Sequence, residues 1–290
     1  MSGPPLIFDR LAIARARARA ERGGGDAFLM REAAEGIAAR LDPISRNFGR
    51  AADVDGLAVG NHVLSRFARS WTNLSSSETE TLECGAEPFD LMTSVLALHN
   101  TNDLPGALVQ IRRALFPDSV FAAALFGGAT LYELRQSLAA AEAATRGGAS
   151  PRISPFADVR VLGQLLQRAG FALPVADIER TTVLYSNLEQ LVHDLRAHGQ
   201  TNSLRERSKR PILRATLSAA EAHYRQHHAD EAGRLRASFD IVYLIGWAPS
   251  ESQPQPLKPG SARLRLADAL GVTEKGAPGP SPTTRRGDQT

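Results

Sequence analysis

The sequence predicts an α/β fold built on a parallel sheet, and three observations in Phe89 to Arg135 carry that prediction. An apolar run, Leu91 to Leu98, is followed by an amphipathic helical segment and then by a second apolar run, Val120 to Phe126. Apolar runs of about seven residues separated by a helix of about a dozen mark strands buried on both faces, which is the signature of parallel pairing. Function in such sheets gathers in the loops at the strands' carboxyl ends, here His99 to Asp103 and Gly127 to Thr130.

Composition sets the outer bounds. The chain has 290 residues, of which 43% are hydrophobic, enough for a core without staples. Its single cysteine, Cys84, excludes an intramolecular disulfide framework and any cysteine-only metal cluster, and it is read as bland. The formal charge is only +3, with 34 basic residues facing 31 acidic ones, so no nucleic-acid partner is expected. No apolar run approaches the roughly 18 residues that would span a bilayer. The amino terminus, MSGPPLIFDR, has no apolar signal region and leaves no room for an import presequence, so a cytoplasmic chain of bacterial origin is expected.

Taken in order, Leu11 to Arg22 is helical, with arginines at 15, 17, 19 and 22 spread around the axis, and reads as a solvated helix. Gly23 to Gly25 breaks it. A second helix carries Phe28, Leu29, Ala33, Ile37 and Leu41 at helical spacing behind Asp26. Phe48 to Gly60 stands where a nucleotide-type fold places its first strand and glycine-rich turn. Glycines let backbone N–H groups approach a ligand there, but here Asp55-Gly56 also reads as an ordinary tight turn, and both readings stay open. Ser70 to Pro88 is polar and turn-like. Only 36 residues separate Asp53 from Asp90, too few for three crossovers and two intermediate strands, which need upwards of about 40. One strand-helix unit is therefore expected to be lost or vestigial.

Beyond the central stretch, helices are expected over Leu134 to Ala144, Ala157 to Arg168, Leu188 to His198 and Lys209 to Ala229. Phe171 to Tyr185 reads as two extended pieces and Ser238 to Trp247 as the last strand. The predicted organisation is amino-terminal helices over 1–47, an α/β domain over 48–248 and a mostly disordered tail over 249–290, with Arg263 to Leu270 locally ordered. There is no internal repeat. His223, His227 and His228 include an i, i+4 pair that shares a helix face, but without a third ligand of matching pattern no metal site is expected.

FDLMTSVLALHNTNDLPGALVQIRRAL, FGGATLYELRQSL, SPRISPFADVRVLGQLLQRAGF and SFDIVYLIGW resemble a branch of the class I methyltransferase-like proteins. That branch contains the mitochondrial complex I assembly factor that hydroxylates an arginine of an iron-sulfur subunit. More distantly, the chain is similar to the malonyl-carrier methyltransferase of biotin synthesis. The resemblance runs from Phe8 to about Leu270. It implies a Rossmann-like sheet of seven strands with a reversed last strand, helices on both faces and S-adenosylmethionine at the carboxyl ends of the first strands. The missing unit then falls on the third strand, a sheet edge whose loss leaves other pairings intact.

Against the family's first motif, L-D-L-G-x-G-x-G aligned on Asp53, the three glycines read Asp55, Leu57 and Val59. Asp53, Asp55 and Gly56 are the residues of a degenerate cofactor site, and Asn73 is the nearest counterpart of the acidic residue that holds the ribose. Asp55 would set a carboxylate against the cofactor's own. Two smaller departures are Asn100 in place of tryptophan and Ser119 in place of glycine. The resemblance also implies a substrate or partner side at Thr130 and Arg135, with Asp103, and catalytic candidates His99 and Glu133. Glu133 is suited to bind a guanidinium or act as a base, against pairing with Arg135 or capping a helix. His99 is suited to relay a proton, against satisfying a backbone carbonyl. Two functions follow: a non-catalytic member binding a respiratory-chain subunit or assembly intermediate, or an active transferase or arginine hydroxylase on a protein substrate.

Overall fold

The computed structural model describes residues 6–57 and 62–254. The expected order of Arg263 to Leu270, the tail beyond 254 and Val59 lie outside these residues. The principal helices and strands among the described residues follow in chain order: α1 Arg10–Gly23, α2 Phe28–Leu41, β1 Phe48–Val54, β2 Ala68–Leu74, β3 Phe89–Val95, α3 Leu104–Arg113, β4 Leu115–Phe126, α4 Tyr132–Arg146, α5 Val159–Arg168, β5 Ala172–Tyr185, α6 Leu188–Ala197, α7 Arg214–His228 and β6 Leu235–Trp247.

The six strands form one sheet in the order β2-β1-β3-β4-β6-β5. The first four run parallel, and β6 runs antiparallel to both β4 and β5. Successive side chains of β4 divide between two cores: Val120, Ala122, Ala124 and Phe126 face α2, α4, α6 and α7, while Phe121, Ala123 and Leu125 face α3 and α5. This two-sided burial is why β3 and β4 read as continuous apolar runs. Each fully buried large side chain contributes roughly 1.5–3 kcal/mol.

Among the described residues no strand lies beyond β2, so the expected loss of one unit falls at that edge. The connection that replaces it, Ser75 to Pro88, turns back on itself through a Ser76–Leu82 bridge and a Ser77-to-Glu80 turn. Four local expectations are corrected. Part of the polar stretch from Ser70 is strand β2, which as an edge strand leaves most of its side chains in solvent. The two extended pieces near Phe171 are one strand of 14 residues, with a register irregularity between Ala172 and Val175. The helix expected from Lys209 starts only at Arg214, past Pro211. α1 is also not a simple solvated helix: Asp9 caps it through the Ala12 amide at 3.0 Å, and Ile13, Ala16 and Ala20 are buried.

α2 illustrates tertiary completion of a helix end. Its own N-cap position, Ala27, has no side chain to offer, and the Leu29 amide instead donates to Nε2 of the buried His198 at 3.0 Å. Nδ1 of His198 must then carry the proton, which it donates to the Asp194 carbonyl at 2.6 Å. Farther along α2, a Cβ at Gly36 would lie 2.1 Å from the Tyr243 hydroxyl, so only glycine lets the helix settle on β6.

Burial depresses the pKa of His198, and it depresses that of His99 to about 4. The folded chain therefore binds fewer protons than the unfolded one below the ordinary histidine value near 6.5. The stabilisation from keeping both imidazoles neutral is fully present above that pH and is lost as pH falls toward about 4. Thermal denaturation followed from pH 7 to 4.5 in an Asp53→Asn background, which removes a buried carboxyl group that titrates with the opposite sign in this window, should show a falling midpoint. In His198→Leu the slope should shrink and the stability at pH 7 should drop by about 1–2 kcal/mol, the usual cost of an emptied helix cap.

Candidate functional site

β1 ends in the core, and its last residues build the first part of the site. Asp53 is 1% exposed; its Oδ1 accepts the Thr93 hydroxyl from neighbouring β3 at 2.7 Å. Its Oδ2 is buried with no hydrogen-bond partner among the described residues. Burial drives the Asp53 pKa up to about 7, against the opposing pull of the Thr93 hydrogen bond. A Cβ at Gly56 would stand 1.7 Å from that same Oδ2, so the chain needs glycine to fold past the carboxyl group.

Asp55 sits at φ 58°, in the left-handed region that favours glycine. Its carboxylate is buried and fully engaged. Oδ1 accepts the Ser76 amide at 2.9 Å and lies 3.2 Å from the Arg17 guanidinium; Oδ2 bonds the Ser76 hydroxyl and lies 3.7 Å from Arg10. Burial lowers the Arg17 pKa while Asp55 pulls it back up. Both arginines come from α1, which is drawn across the carboxyl ends of β1 and β2. A cavity of about 300 Å³ remains between α1, Asp55 to Leu57 and Ser75 to Glu78. Leu57 is buried in the larger core. Asn73 pairs in register with Asp53 but carries an exposed side chain on edge strand β2, outside the lining of that cavity.

Glu80 completes this side. It holds φ 60° and is buried, accepting the backbone amides of Asn102 and Asp103 at 2.8 Å each and the Asn102 side-chain amide at 2.9 Å. Arg10 Nε lies 3.8 Å from it. Asp103 caps α3 through the Gly106 amide at 2.9 Å. Arg10, Arg17 and Glu80 are the residues that sequence reasoning missed; they lie 25 to 45 positions from Asp55 (55 − 10 = 45, 55 − 17 = 38, 80 − 55 = 25), and no local pattern links them.

At the carboxyl ends of β3 and β4, His99 is buried rather than set at an open mouth, packed against Phe126 and Phe156 with ring centroids 4.9 and 5.6 Å away. Its Nε2 meets the Gln200 side-chain oxygen at 3.0 Å, which makes Nε2–H the donor and leaves Nδ1 facing the Phe126 amide at 3.5 Å. Gln200 in turn donates to the Leu96 carbonyl at 3.0 Å. With its pKa depressed to about 4, His99 stays neutral at pH 7.

Thr130 and Glu133 are turned inward. The Thr130 hydroxyl donates to the Asp240 carbonyl and accepts the Asp240 amide, both at 3.1 Å, and Glu133 accepts the Ser238 hydroxyl at 2.6 Å. They fasten the 127–133 loop to β6. Arg135 is exposed and donates to the Ser154 carbonyl at 3.0 Å. A cavity of about 240 Å³ near these strand ends is lined by Asn100, Phe126, Thr130, Arg152, Phe156 and Arg196, among others, and by no carboxylate. Thus Asp53, Asp55 and Gly56 meet at one place and Asn100 and Thr130 at another, while Asn73 and Arg135 join neither. Among the described residues no group of three or more His, Cys, Asp or Glu is arranged to hold a metal ion, and no helix is long and apolar enough to cross a membrane.

Known proteins give this geometry its context. No family model matches the chain. The mitochondrial arginine-hydroxylase NDUFAF5 of Danio rerio is 37% identical over 264 residues, covering 83% of this chain and 81% of that protein. The human protein of that name is 38% identical over 276 residues, covering 87% and 79%. A malonyl-[acyl-carrier protein] O-methyltransferase from Halorhodospira halophila is 29% identical over 289 residues, covering 90% and 96%. Among solved structures, YcgJ from Bacillus subtilis shares the fold, with a TM-score of 0.50 at 9% identity over 74% of this chain and 99% of that one. The names of the NDUFAF5 relatives are mitochondrial, which overturns the cytoplasmic expectation; that expectation leaned on where the chain begins, and a starting point carries no information about compartment. With relatives above 30% identity matching more than four-fifths of its length, the chain belongs to the NDUFAF5 arginine-hydroxylase family of class I methyltransferase-fold proteins.

Proposed function

We propose that this chain has given up S-adenosylmethionine at the family's cofactor position and works as a protein-binding member of the family, with a respiratory complex I subunit or assembly intermediate as its partner. The observation that carries this reading is the engagement of Asp55 by Arg10, Arg17 and Ser76. The cofactor would bring a carboxylate to this end of β1. Here the carboxylate belongs to the protein, and two α1 arginines already neutralise it. Leu57, in place of the second motif glycine, puts a core side chain where backbone has to approach the ligand. The residues present do not fit the cofactor.

The second cavity supports the same reading. A guanidinium substrate needs a carboxylate with free lone pairs. Glu133 is spent on Ser238, and the cavity lining carries Arg152 and Arg196 but no acid. His99, neutral and tied to Gln200, is a strut between β3 and the segment after α6 rather than a proton relay. The rival reading is an active methyltransferase or arginine hydroxylase. It is favoured by one observation: Asp53 Oδ2 is buried, unpartnered and beside the Gly56 turn, as a group awaiting a ligand's donor would be.

Isothermal titration with S-adenosylmethionine separates the two. The natural chain should give no heat. Micromolar binding, worth about −8 kcal/mol, would overturn the reading. In Asp55→Gly the left-handed backbone is relieved by about 1 kcal/mol, but the largely buried Arg17 loses its counter-charge and Arg10 keeps only Glu80, at a cost of about 3–5 kcal/mol. A net loss near 2–4 kcal/mol should lower the melting temperature by roughly 4–16 °C. Circular dichroism should confirm that the variant is folded before it is titrated.

Asp53 supplies an independent pH signature. Because its folded-state pKa lies near 7, above the ordinary aspartate value, the folded chain holds a proton that the unfolded chain has lost between about pH 4 and 7. The destabilisation therefore grows as pH rises through that window and is complete above it. Asp53→Asn should abolish this component and melt higher than the natural chain at pH 8, with the two converging near pH 4.

A further inference from the structure

We infer that the groove between the amino-terminal segment and the 150–155 loop is a docking site for an aliphatic peptide segment flanked by acidic residues, carried by a partner protein. This deepens the protein-binding reading and rests on it. The groove, about 600 Å³, is floored by Leu138 and Ala139 of α4, with Leu6 and Ile7 on one wall and Ile153 and Pro155 on the other.

Both walls are fixed. Asp9 donates its amide to the Ser203 carbonyl at 2.8 Å, Arg205 donates to the Ile7 carbonyl at 2.8 Å, and the Phe8 amide donates to Asn102 Oδ1 at 2.7 Å. An Arg207–Asp9 ion pair at 2.9 Å adds to this. The opposite wall is clamped by Glu142, 1% exposed, which takes the Ser150 amide at 2.6 Å and Arg152 Nε at 3.0 Å; Asn202 holds the Pro151 carbonyl at 2.9 Å. Yet this pinned segment leaves Leu6 59% and Ile7 41% exposed, and the first turn of α1 leaves Leu11 50% exposed. Apolar groups held rigidly in solvent beside a preformed cleft mark an interaction surface, and the ordering cost of binding is already met.

Charge selects the partner's chemistry. Arg152 is spent on Glu142, but Arg135 on the groove lining, Arg205 next to Leu204, and Lys209 in the adjoining cleft that shares Leu6 have no ion pair among the described residues. Arg196 is likewise unpaired in the inner cavity that shares Leu138, Arg152 and Ile153 with the groove. Against these four stand Glu206, Glu78 and the helix-capping Asp103, while Asp9 and Glu80 of the same cleft are paired with Arg207 and Arg10. A concave floor suits the side chains of a peptide rather than a flat lipid surface, which would need the apolar groups to protrude together.

The probe is a fluorescein-labelled peptide, DELLDILED, followed by fluorescence anisotropy on the full chain, with KKLLKILKK and DESSDSSED as controls. DELLDILED should bind saturably with a Kd of about 10–100 µM, and both controls should bind at least about tenfold more weakly. Leu6→Asp and Ala139→Glu, both at exposed positions outside the cofactor region, should each weaken binding about tenfold. Arg205→Glu combined with Lys209→Glu, or about 0.5 M salt, should weaken it several-fold. Absence of saturation, equal binding of the lysine peptide, or indifference to the groove variants would overturn the proposal. So would flotation with phosphatidylglycerol vesicles that these variants abolish while the peptide stays unbound. Heat with S-adenosylmethionine would remove the pseudoenzyme reading without touching the peptide result. Peptide silence alongside a silent cofactor titration would remove the groove and leave that reading standing.

Discussion

One carboxylate sets the arrangement of the amino-terminal half. Asp55 lies at the end of β1, buried and in left-handed backbone, where a charged group without partners would cost several kcal/mol. Its neutralisation needs cations from elsewhere, and α1 supplies two from one helix face, since Arg10 and Arg17 are seven residues or about two turns apart (17 − 10 = 7). Asp9 caps that helix and also pairs with Arg207, so the placement of α1 is tied to the segment after α6. The same constraint that closes the first strand's loop therefore also positions the segment forming one wall of the apolar groove.

The shortened edge follows the same logic. Loss of a strand-helix unit next to β2 removes no pairing from β1, β3 or β4, but it exposes the amides that open α3. Glu80, in the turn that replaces the unit, takes the amides of Asn102 and Asp103, and Gln110 of α3 closes the turn through Leu82 and the Glu80 carbonyl. A helix N-terminus that could have faced a ligand is instead filled by a carboxylate of the chain. Asp55 and Glu80 are thus two internal anions at two neighbouring strand ends, joined through Arg10.

The parts of this molecule legible from its sequence are those governed by periodicity. β3, β4 and β6 were readable because burial on two faces leaves an uninterrupted apolar run, and the helices because one face of each carries the apolar positions. β2 was not, because an edge strand with solvent on most of its side chains has no such run. The alteration at Asp55, Leu57 and Val59 was visible as a departure from a known pattern. Its consequence was not: Asp55 was read as a charge that repels a ligand, while the structure makes it a charge that recruits α1. The arginines of that helix seemed evenly solvated because their partners lie in segments remote in sequence. His99, Thr130 and Glu133 stood out as polar residues in functional loops, and what spacing could not tell was that Gln200, Asp240 and Ser238 would turn each of them inward.

That inward turning separates two kinds of surface on one fold. In an enzyme of this architecture the strand ends keep polar groups unsatisfied until substrate arrives, because an interaction already made in the free protein contributes nothing to the transition state. Among the described residues, His99, Thr130, Glu133 and Asp55 at those ends are engaged by the chain itself, while Asp53 Oδ2 is buried without a hydrogen-bond partner. Exposed apolar side chains lie on the outer wall built by Leu6 and Ile7, and also along edge strand β5 at Leu173, Val175, Ile178 and Leu184. Unsatisfied interaction capacity shows where a protein can still gain free energy by binding.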